Sequence, residues 1–294
     1  MKHKSEHQRR IEIDQKVSEK LCRCKEILRP LKQVAVAISG GVDSSLLLTL
    51  ATETLGSENV LAATATDPIF PQQERKLARQ IAENLGVELI EFRAGQLSNP
   101  DFIANHPQRC YLCKKMMLRH IKRIADERNI HTIITGSNAD DALEHRPGRK
   151  AERELGVCCP LEQAGLTKQE IRQAARAMGL PNWNRAASAC LATRIPYGSK
   201  ITIEKLTRIE KGEQILYEMG FSLVRLRDHN HIARIEIKPE QFNEAIRKRD
   251  EIVNSLSQLG YIYITLDLAG YHSGSMDWAF KERDTGNELN ELQK

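Results

Sequence analysis

A tight glycine turn near the start of the chain has the composition of a phosphate-binding loop. Residues 39–45 read SGGVDSS and stand between two apolar segments, 34–38 and 46–48. This order predicts a strand, a tight turn and then a helix whose free N–H groups point at the turn. Adjacent glycines let the backbone approach an anion closely, and Asp43 can hold a divalent cation against phosphate oxygens. The segment therefore predicts a site for a pyrophosphate with its metal ion.

The spacing of this loop differs from the two common nucleotide motifs. A G-x-x-x-x-G-K-[ST] loop would need a lysine where this chain has Asp43 and Ser44, and G-x-G-x-x-G is absent. The segment resembles instead the SGGxDS loop of the PP-loop ATP pyrophosphatases, which split ATP between its α and β phosphates. The resemblance implies ATP and Mg²⁺ as cofactors, with Asp43 as the Mg²⁺ ligand. The residues expected to bind the nucleotide are Ser39, Gly40, Gly41, Val42, Asp43, Ser44 and Gly136.

Three cysteines form a second group that can do chemistry. Cys110 and Cys113 make a C-x-x-C at a loop-to-helix transition, and Cys190 lies between two predicted helices. Three thiolates suit a [4Fe–4S] cluster with one open iron, whereas structural zinc usually takes four ligands. The spacing alone leaves three interpretations open: a cluster, a zinc site or redox dithiol, and cysteines without a joint role. Cys190 is also a candidate nucleophile, because Arg194 would favour its thiolate.

Length, charge and cysteine content exclude several classes of protein. The chain has 294 residues, of which 40% are hydrophobic, enough for one large α/β domain and a smaller second one. It has neither a membrane-spanning segment nor a secretion signal, so we expect a cytoplasmic protein without membrane contacts. A net charge of +5 without a basic stripe and interleaved aromatic residues argues against a nucleic-acid partner. The cysteines interpreted as structural are Cys22, Cys24, Cys158 and Cys159.

Alternating strands and helices must position these residues. The predicted strands of the first part are residues 34–38, 60–66, 87–92 and 131–135. Such alternation predicts a parallel sheet with helices on both faces and ligands at the carboxyl ends of its strands. After residue 201 the order helix, two strands, helix, strand predicts a smaller α+β unit. The predicted domains are a PP-loop domain of the adenine nucleotide alpha hydrolase type, residues 1–201, and a C-terminal α+β domain, residues 202–294.

Taken together, these segments resemble one family of PP-loop enzymes over nearly the whole chain. The stretches that carry the resemblance are 39–45, 136–141, 146–148, 189–198, 224–227, 265–271 and 273–274. They are similar to the LarE family, ATP-dependent sacrificial sulfur transferases that help to build the nickel-pincer nucleotide cofactor of lactate racemase. The stretch around Cys190 is specific to this family, whereas the ATP loop is shared with others.

The resemblance implies a two-stage reaction. The loop would adenylate a carboxylate of pyridinium-3,5-biscarboxylic acid mononucleotide, and a sulfur nucleophile would then displace AMP and leave a thiocarboxylate. In members whose only cysteine there matches Cys190, this catalytic thiol gives up its own sulfur. Members with all three cysteines resemble cluster enzymes, in which a [4Fe–4S] centre passes on a hydrosulfide. We favour the cluster here, with Cys110, Cys113 and Cys190 as ligands, over direct sacrifice of Cys190.

The substrate that the resemblance implies carries carboxylates and a phosphate, so we expect arginines to bind it. The candidates are Arg146, Arg194, Arg225 and Arg227. Arg225 and Arg227 alternate on one predicted strand face, although without the resemblance solvated surface charge is an equal interpretation. The resemblance also implies sulfide or another sulfur donor as a partner, and a homo-oligomer with a hexamer as the candidate state.

Two other enzyme classes share parts of this pattern. A tRNA-thiolating PP-loop enzyme would combine the same loop with cluster cysteines, but should carry a basic RNA-binding module, which is not evident. An ammonia-using amide ligase of the NAD or GMP synthetase type shares the Gly-Gly-Val-Asp-Ser spelling and would need no cysteine. A nucleotide-sensing module without enzyme activity is a more distant alternative.

Overall fold

The chain folds as two units in the computed structural model, which describes residues 13–142, 147–185, 189–272 and 274. The first unit is Met1–Asn99 with Gln108–Ser188, and the second is Pro100–Pro107 with Ala189–Lys294. The division at residue 201 stays a prediction about domains. The structural units separate at residue 189 because the side-chain amide of Asn105 donates hydrogen bonds of 3.1, 2.9 and 3.1 Å to three carbonyls beyond it. They belong to Ile195, Pro196 and Ser199.

Seven strands and eleven α-helices are described. The strands are β1 (Val34–Ala37), β2 (Val60–Ala65), β3 (Glu88–Phe92), β4 (Ile133–Thr135), β5 (Val224–His229), β6 (Ile232–Ile237) and β7 (Tyr263–Leu266). The helices are α1 (Gln15–Leu28), α2 (Val42–Leu55), α3 (Gln72–Asn84), α4 (Pro100–Ile103), α5 (Arg109–Asp126), α6 (Gly148–Glu154), α7 (Pro160–Gln163), α8 (Lys168–Ala177), α9 (Ile203–Glu218), α10 (Phe242–Arg247) and α11 (Arg249–Ser257). Among these described helices, none combines the length and apolar character that a membrane span needs.

The first unit is built on a parallel sheet in the order β3-β2-β1-β4. Its strands alternate their side chains between two cores: Val34 and Val36 pack with α1, α2 and α8, whereas Ala35 packs with α5. The predicted α/β class with a parallel sheet is therefore confirmed. Because all four strands run in the same direction, their carboxyl ends meet at one edge, where the loop after β1 lies.

The second unit has its own three-stranded sheet in the order β5-β6-β7. Strands β5 and β6 are antiparallel, while β6 and β7 are parallel. One face carries the apolar side chains Val224, Leu226, Ile235 and Ile237, which are buried. The opposite face carries Arg225, Arg227, Arg234 and Glu236. The small sheet predicted for the C-terminal part of the chain is thus present, with an apolar and a charged face.

Candidate nucleotide site and cysteine segments

A cavity of about 260 Å³ opens at the carboxyl edge of the parallel sheet. Its wall is made by the loop after β1, the ends of β2, β3 and β4, and side chains of α3 and α5. The predicted nucleotide-binding residues that line it are Ser39, Gly41, Asp43, Ser44 and Gly136, and Glu74, Arg75, Lys114, Ser137 and Asp141 join them. The structure therefore brings most of the predicted loop to one concave surface together with charged residues that the sequence did not single out.

The loop is held closed by its own serines. Ser44 Oγ accepts the backbone N–H of Ser39 at 3.2 Å and donates to the Gly41 carbonyl at 3.0 Å. Ser45 Oγ donates to the same carbonyl at 2.8 Å. Gly40 has a φ of +82°, and a Cβ there would lie 2.3 Å from the carbonyl oxygen of Glu74. Only glycine fits this position, so the turn cannot form with another residue.

Gly136, at the end of β4, touches the start of α2. A Cβ at this position would lie 2.7 Å from the backbone nitrogen of Ser44. Since real Cβ atoms do not approach backbone that closely, a side chain here would push the loop and the strand end apart. Gly136 thus allows two strand ends to share one anion-sized space.

Asn182 is a loop-positioning residue that sequence reasoning missed. Its amide nitrogen donates to the Gly40 carbonyl at 2.8 Å and to Ser45 Oγ at 2.9 Å, and the residue is 1% exposed. Its Oδ1 is buried and has no hydrogen-bond partner among the described residues. Asn182 stands 142 positions after Gly40, in a segment without a motif, so no local signal pointed to it.

Asp43 lies in the first turn of α2 and faces a lysine. Lys168 Nζ is 2.5 Å from Asp43 Oδ2, while Asp43 Oδ1 is buried without a hydrogen-bond partner among the described residues. Burial raises the pKa of Asp43 and outweighs Lys168, which acts in the opposite direction. Asp140, also a candidate for assisting the metal, accepts the backbone N–H of Lys168 at 2.8 Å and thereby caps α8.

A buried carboxylate supports the wall formed by β4 and α5. Glu152 is 3% exposed, pairs with Lys114 at 2.9 Å, and accepts hydrogen bonds from Thr135 at 2.8 Å and Ser137 at 2.9 Å. Burial by itself would raise the pKa of Glu152, but Lys114 and the two hydroxyls together lower it. This arrangement fixes an ammonium group at the cavity wall, and neither charged residue was singled out from the sequence.

The C-x-x-C pair occupies the first turn of α5. Cys110 is exposed, whereas Cys113 is buried, with its Sγ 3.5 Å from the side-chain amide of Gln96. Residues three apart on a helix are neighbours, so the two thiols fit as ligands of one centre. Cys190 belongs to the second unit. In the described part of the chain, no group of three or more His, Cys, Asp or Glu side chains is arranged to hold a metal ion.

Arg194 fastens the backbone around Cys190. Its Nη1 donates to the carbonyls of Ala189 at 2.6 Å and Cys190 at 3.1 Å, and the side chain is 1% exposed. Burial by itself would lower the pKa of Arg194, but the paired Glu213, and less strongly Cys190, raise it. Cys190, which is partly exposed, precedes the short 3₁₀ turn Leu191–Arg194. The structure thus shows Arg194 as the clamp of this segment, while its substrate binding stays a prediction.

The two arginines of β5 are both buried rather than solvated. Arg227 forms two hydrogen bonds to Glu236, of 2.9 and 2.7 Å, and donates to the Thr193 carbonyl at 2.8 Å. Arg225 is 5% exposed and its guanidinium lies 5.3 Å from the centre of the Tyr271 ring. Their side chains share the charged sheet face, as the alternation predicted. Arg146 lies outside the described residues.

Comparisons with known proteins agree with this architecture. The family model described as NAD synthase matches residues 17–100, which include the nucleotide loop. A protein of Lactiplantibacillus plantarum named pyridinium-3,5-bisthiocarboxylic acid mononucleotide synthase is 36% identical over 250 residues, which cover 85% of this chain and 91% of that protein. An uncharacterised Synechocystis protein is 35% identical, covering 88% and 97%. A glutamine-hydrolysing GMP synthase chain from Archaeoglobus fulgidus is 25% identical, covering 66% and 68%.

Proposed function

The chain belongs to the LarE family of PP-loop enzymes, and from this membership we propose that it is an ATP-dependent, AMP-forming sulfur transferase. Its substrate is pyridinium-3,5-biscarboxylic acid mononucleotide, and its product carries a thiocarboxylate in place of a carboxylate. The observation that carries the proposal is the similarity to the Lactiplantibacillus synthase over both units of the chain. The cavity at the glycine loop supports the ATP-dependent half of the reaction.

Activation of the carboxylate is assigned to the cavity. The loop residues Ser39 to Ser44 and Gly136 bind the phosphates of ATP, and a substrate carboxylate oxygen attacks the α phosphorus. The bond from that phosphorus to the bridging oxygen breaks, and pyrophosphate leaves. Mg²⁺ bound through Asp43 would neutralise phosphate charge, and the buried, unpartnered Asp43 Oδ1 fits such a cation. The acyl adenylate has AMP as a good leaving group, which the carboxylate itself lacks.

Sulfur delivery is assigned to the cysteines. By the direct route, the Cys190 thiolate displaces AMP and forms a thioester; loss of the Cα proton and cleavage of the Cβ–S bond then leave a thiocarboxylate and dehydroalanine. We favour cluster-assisted delivery, because Cys110 and Cys113 fit as a ligand pair on one helical turn. A [4Fe–4S] cluster with Cys190 as its third protein ligand would supply a hydrosulfide. Cys190 is required by both routes.

The arginines have different degrees of support as substrate ligands. Arg194 and Arg227 already donate to Glu213 and Glu236, which supports a positioning role for them around the Cys190 segment. Arg225 donates to the Val224 carbonyl at 2.8 Å and lies beside the Tyr271 ring, and a guanidinium next to an aromatic face suits a planar anionic ligand. Arg146 remains a candidate on the resemblance alone. We therefore propose Arg225 as the first anion ligand to test.

The cellular context is proposed on the same resemblance. The product would serve the nickel-pincer nucleotide cofactor and lactate racemase maturation, in the cytoplasm, with sulfide or another sulfur donor. A homo-oligomer, with a hexamer as candidate, is supported by three exposed apolar side chains in and beside the edge strand β7: Ile262, Tyr263 and Leu268. Light scattering coupled to size exclusion measures the state, and a monomer at all concentrations would refute this part.

The decisive experiment separates activation from sulfur transfer. Anaerobically purified wild type, Cys190→Ala and the control Cys22→Ala, an exposed cysteine of α1, are assayed for substrate-dependent ATP–pyrophosphate exchange and, by mass spectrometry, for thiocarboxylate. We expect Cys190→Ala to exchange pyrophosphate but to make no thiocarboxylate, and Cys22→Ala to do both. Thiocarboxylate formed by Cys190→Ala would refute the assigned role. Iron and sulfide analysis, with absorption at about 400 nm, distinguishes the cluster from single use of Cys190.

An ammonia-using amide ligase is the second candidate. The NAD synthase match over residues 17–100 and the similarity to the Archaeoglobus GMP synthase favour it for the activating half of the reaction. Such a ligase needs no thiol. Full activity with ammonia in a Cys110→Ala, Cys113→Ala, Cys190→Ala triple variant would therefore support the ligase and refute sulfur transfer.

A further inference from the structure

The nucleotide cavity contains a cation that belongs to the protein itself. Lys168 Nζ lies 2.5 Å from Asp43 Oδ2, at the loop where a metal ion and phosphates are proposed to bind. The side chains of Lys168 and Asp43 are 31% and 21% exposed, so the pair lies at the border of the cavity and not in the core. The carboxylate of Asp43 therefore faces an ammonium where the proposed activation step needs a divalent cation.

The backbone of Lys168 is fixed while its side chain is not. The N–H of Lys168 is held by Asp140 Oδ2 at 2.8 Å, and the capping box of Thr167 and Glu170 anchors the start of α8. Lys20 ties the same Glu170 to α1 through a contact of 2.7 Å. The ammonium, by contrast, sits on a flexible chain of methylene groups with access to solvent. It can leave Asp43 without any movement of the helix.

One carboxylate cannot keep both cations at full strength. A lysine ammonium 2.5 Å from Oδ2 leaves no room for a metal ion at that oxygen, and two positive charges within a few ångströms repel each other strongly at the dielectric of a protein surface. Asp43 Oδ1 is buried and unpartnered among the described residues, and Asn138 approaches Oδ2 at 3.4 Å. The acceptor capacity of Asp43 is therefore incompletely used while Lys168 is bound to it.

We propose that Lys168 and a divalent cation bind Asp43 in turn, so that Lys168 occupies the cation position until nucleotide arrives. The phosphates of the nucleotide offer the ammonium a second anionic partner within reach of its flexible side chain, and its departure opens Asp43 to the metal ion. Metal binding at the loop is thereby made dependent on nucleotide. The inference rests on the proposed function only in taking this cavity as the nucleotide site.

Manganese ions test the exchange without turnover. Free Mn²⁺ is measured by its electron paramagnetic resonance signal as it is titrated into the full chain without nucleotide. We expect Lys168→Met to bind one Mn²⁺ about ten-fold or more tightly than wild type, because the competing charge is gone, and Lys168→Arg to stay as weak as wild type. With a non-hydrolysable ATP analogue present, the difference between Lys168→Met and wild type should shrink, since wild type has then released its lysine.

A second substitution shows whether the gained ion sits on Asp43. Adding Asp43→Asn to Lys168→Met should return Mn²⁺ binding to the wild-type level, and circular dichroism melts confirm that all variants are folded. Equal Mn²⁺ affinity of folded Lys168→Met and wild type overturns the exchange, as does a gain that survives Asp43→Asn. Wild-type pyrophosphate exchange, measured in parallel, reports on the proposed function separately: its absence refutes the enzyme assignment and leaves the Mn²⁺ result readable.

Discussion

Glu213 of α9 holds Arg194 through two parallel hydrogen bonds, of 2.9 and 3.0 Å, and neither side chain has appreciable contact with solvent. Glu213 Oε1 also accepts the backbone N–H of Leu226 in β5 at 3.0 Å. A single carboxylate therefore connects the helix, the small sheet and the segment that bears Cys190. The sulfur-transfer residue owes its placement to an ion pair rather than to a packed apolar neighbour.

Glu213→Ala should destabilise the protein by about 3–5 kcal/mol, because it leaves the guanidinium of Arg194 buried without a counter-charge. Urea unfolding measures the free energy, and Glu218→Ala, an exposed glutamate on the same helix, is the control and should change it little. The double variant Glu213→Leu with Arg194→Met should recover much of the loss. A double variant less stable than Glu213→Ala would contradict this account.

Gly136→Ala should weaken ATP binding while the protein stays folded. Its Cβ would meet the Ser44 backbone nitrogen at 2.7 Å, and the resulting strain of about 1–3 kcal/mol falls on the loop. Gly148→Ala is the matched control, since its Cβ would have only an ordinary contact of 3.6 Å with Lys114. Calorimetric titration with ATP measures both. Equal affinities of the two variants would show that the close approach at Gly136 is irrelevant to nucleotide binding.

The parts of this molecule that the sequence predicted are those encoded locally. Alternating apolar segments and the Gly-Gly turn act within a few residues, so the parallel sheet and the loop at its edge follow from them. Asn182 and Lys168 act on the loop from 142 and 125 positions away, and nothing in their neighbourhood marks them. The burial of Arg194 and Arg227 was equally invisible, because it depends on glutamates that only the folded chain brings beside them.

Asp43→Asn should raise the stability of the nucleotide-free protein at pH 7. Burial raises the pKa of Asp43 above its ordinary value of 3.8, so the ionised carboxylate opposes folding, and this penalty is complete once the pH exceeds the raised pKa. Melting temperatures across pH measure it. The advantage of the variant should fade as the pH falls towards 3.8. A wild type that is the more stable form at pH 7 would contradict the direction of this shift.

Glu152→Gln should have the opposite pH profile. The pKa of Glu152 is lowered from 4.5, so its ionisation stabilises the fold above that pH, and the contribution disappears as the pH falls through the lower folded-state pKa. The same melts should show wild type more stable than Glu152→Gln at pH 7 and the difference closing under acid. Glu154→Gln, a more exposed glutamate of the same helix, is the control and should follow wild type. Parallel curves for all three proteins would refute the role of the buried carboxylate.

The thiols should separate by reactivity according to their burial. Burial raises the pKa of Cys24 to about 12 and that of Cys159 to about 11, so both remain protonated and shielded at pH 8. Cys22 and Cys110 are exposed and should take up iodoacetamide first under reducing, metal-free conditions. Peptide mass spectrometry reads the order, and in urea all seven cysteines of the chain should react at similar rates. Early labelling of Cys24 in the folded protein would contradict its interpretation as a core thiol, and protection of Cys110 under the same conditions would show that something other than the described residues of its own helix covers it.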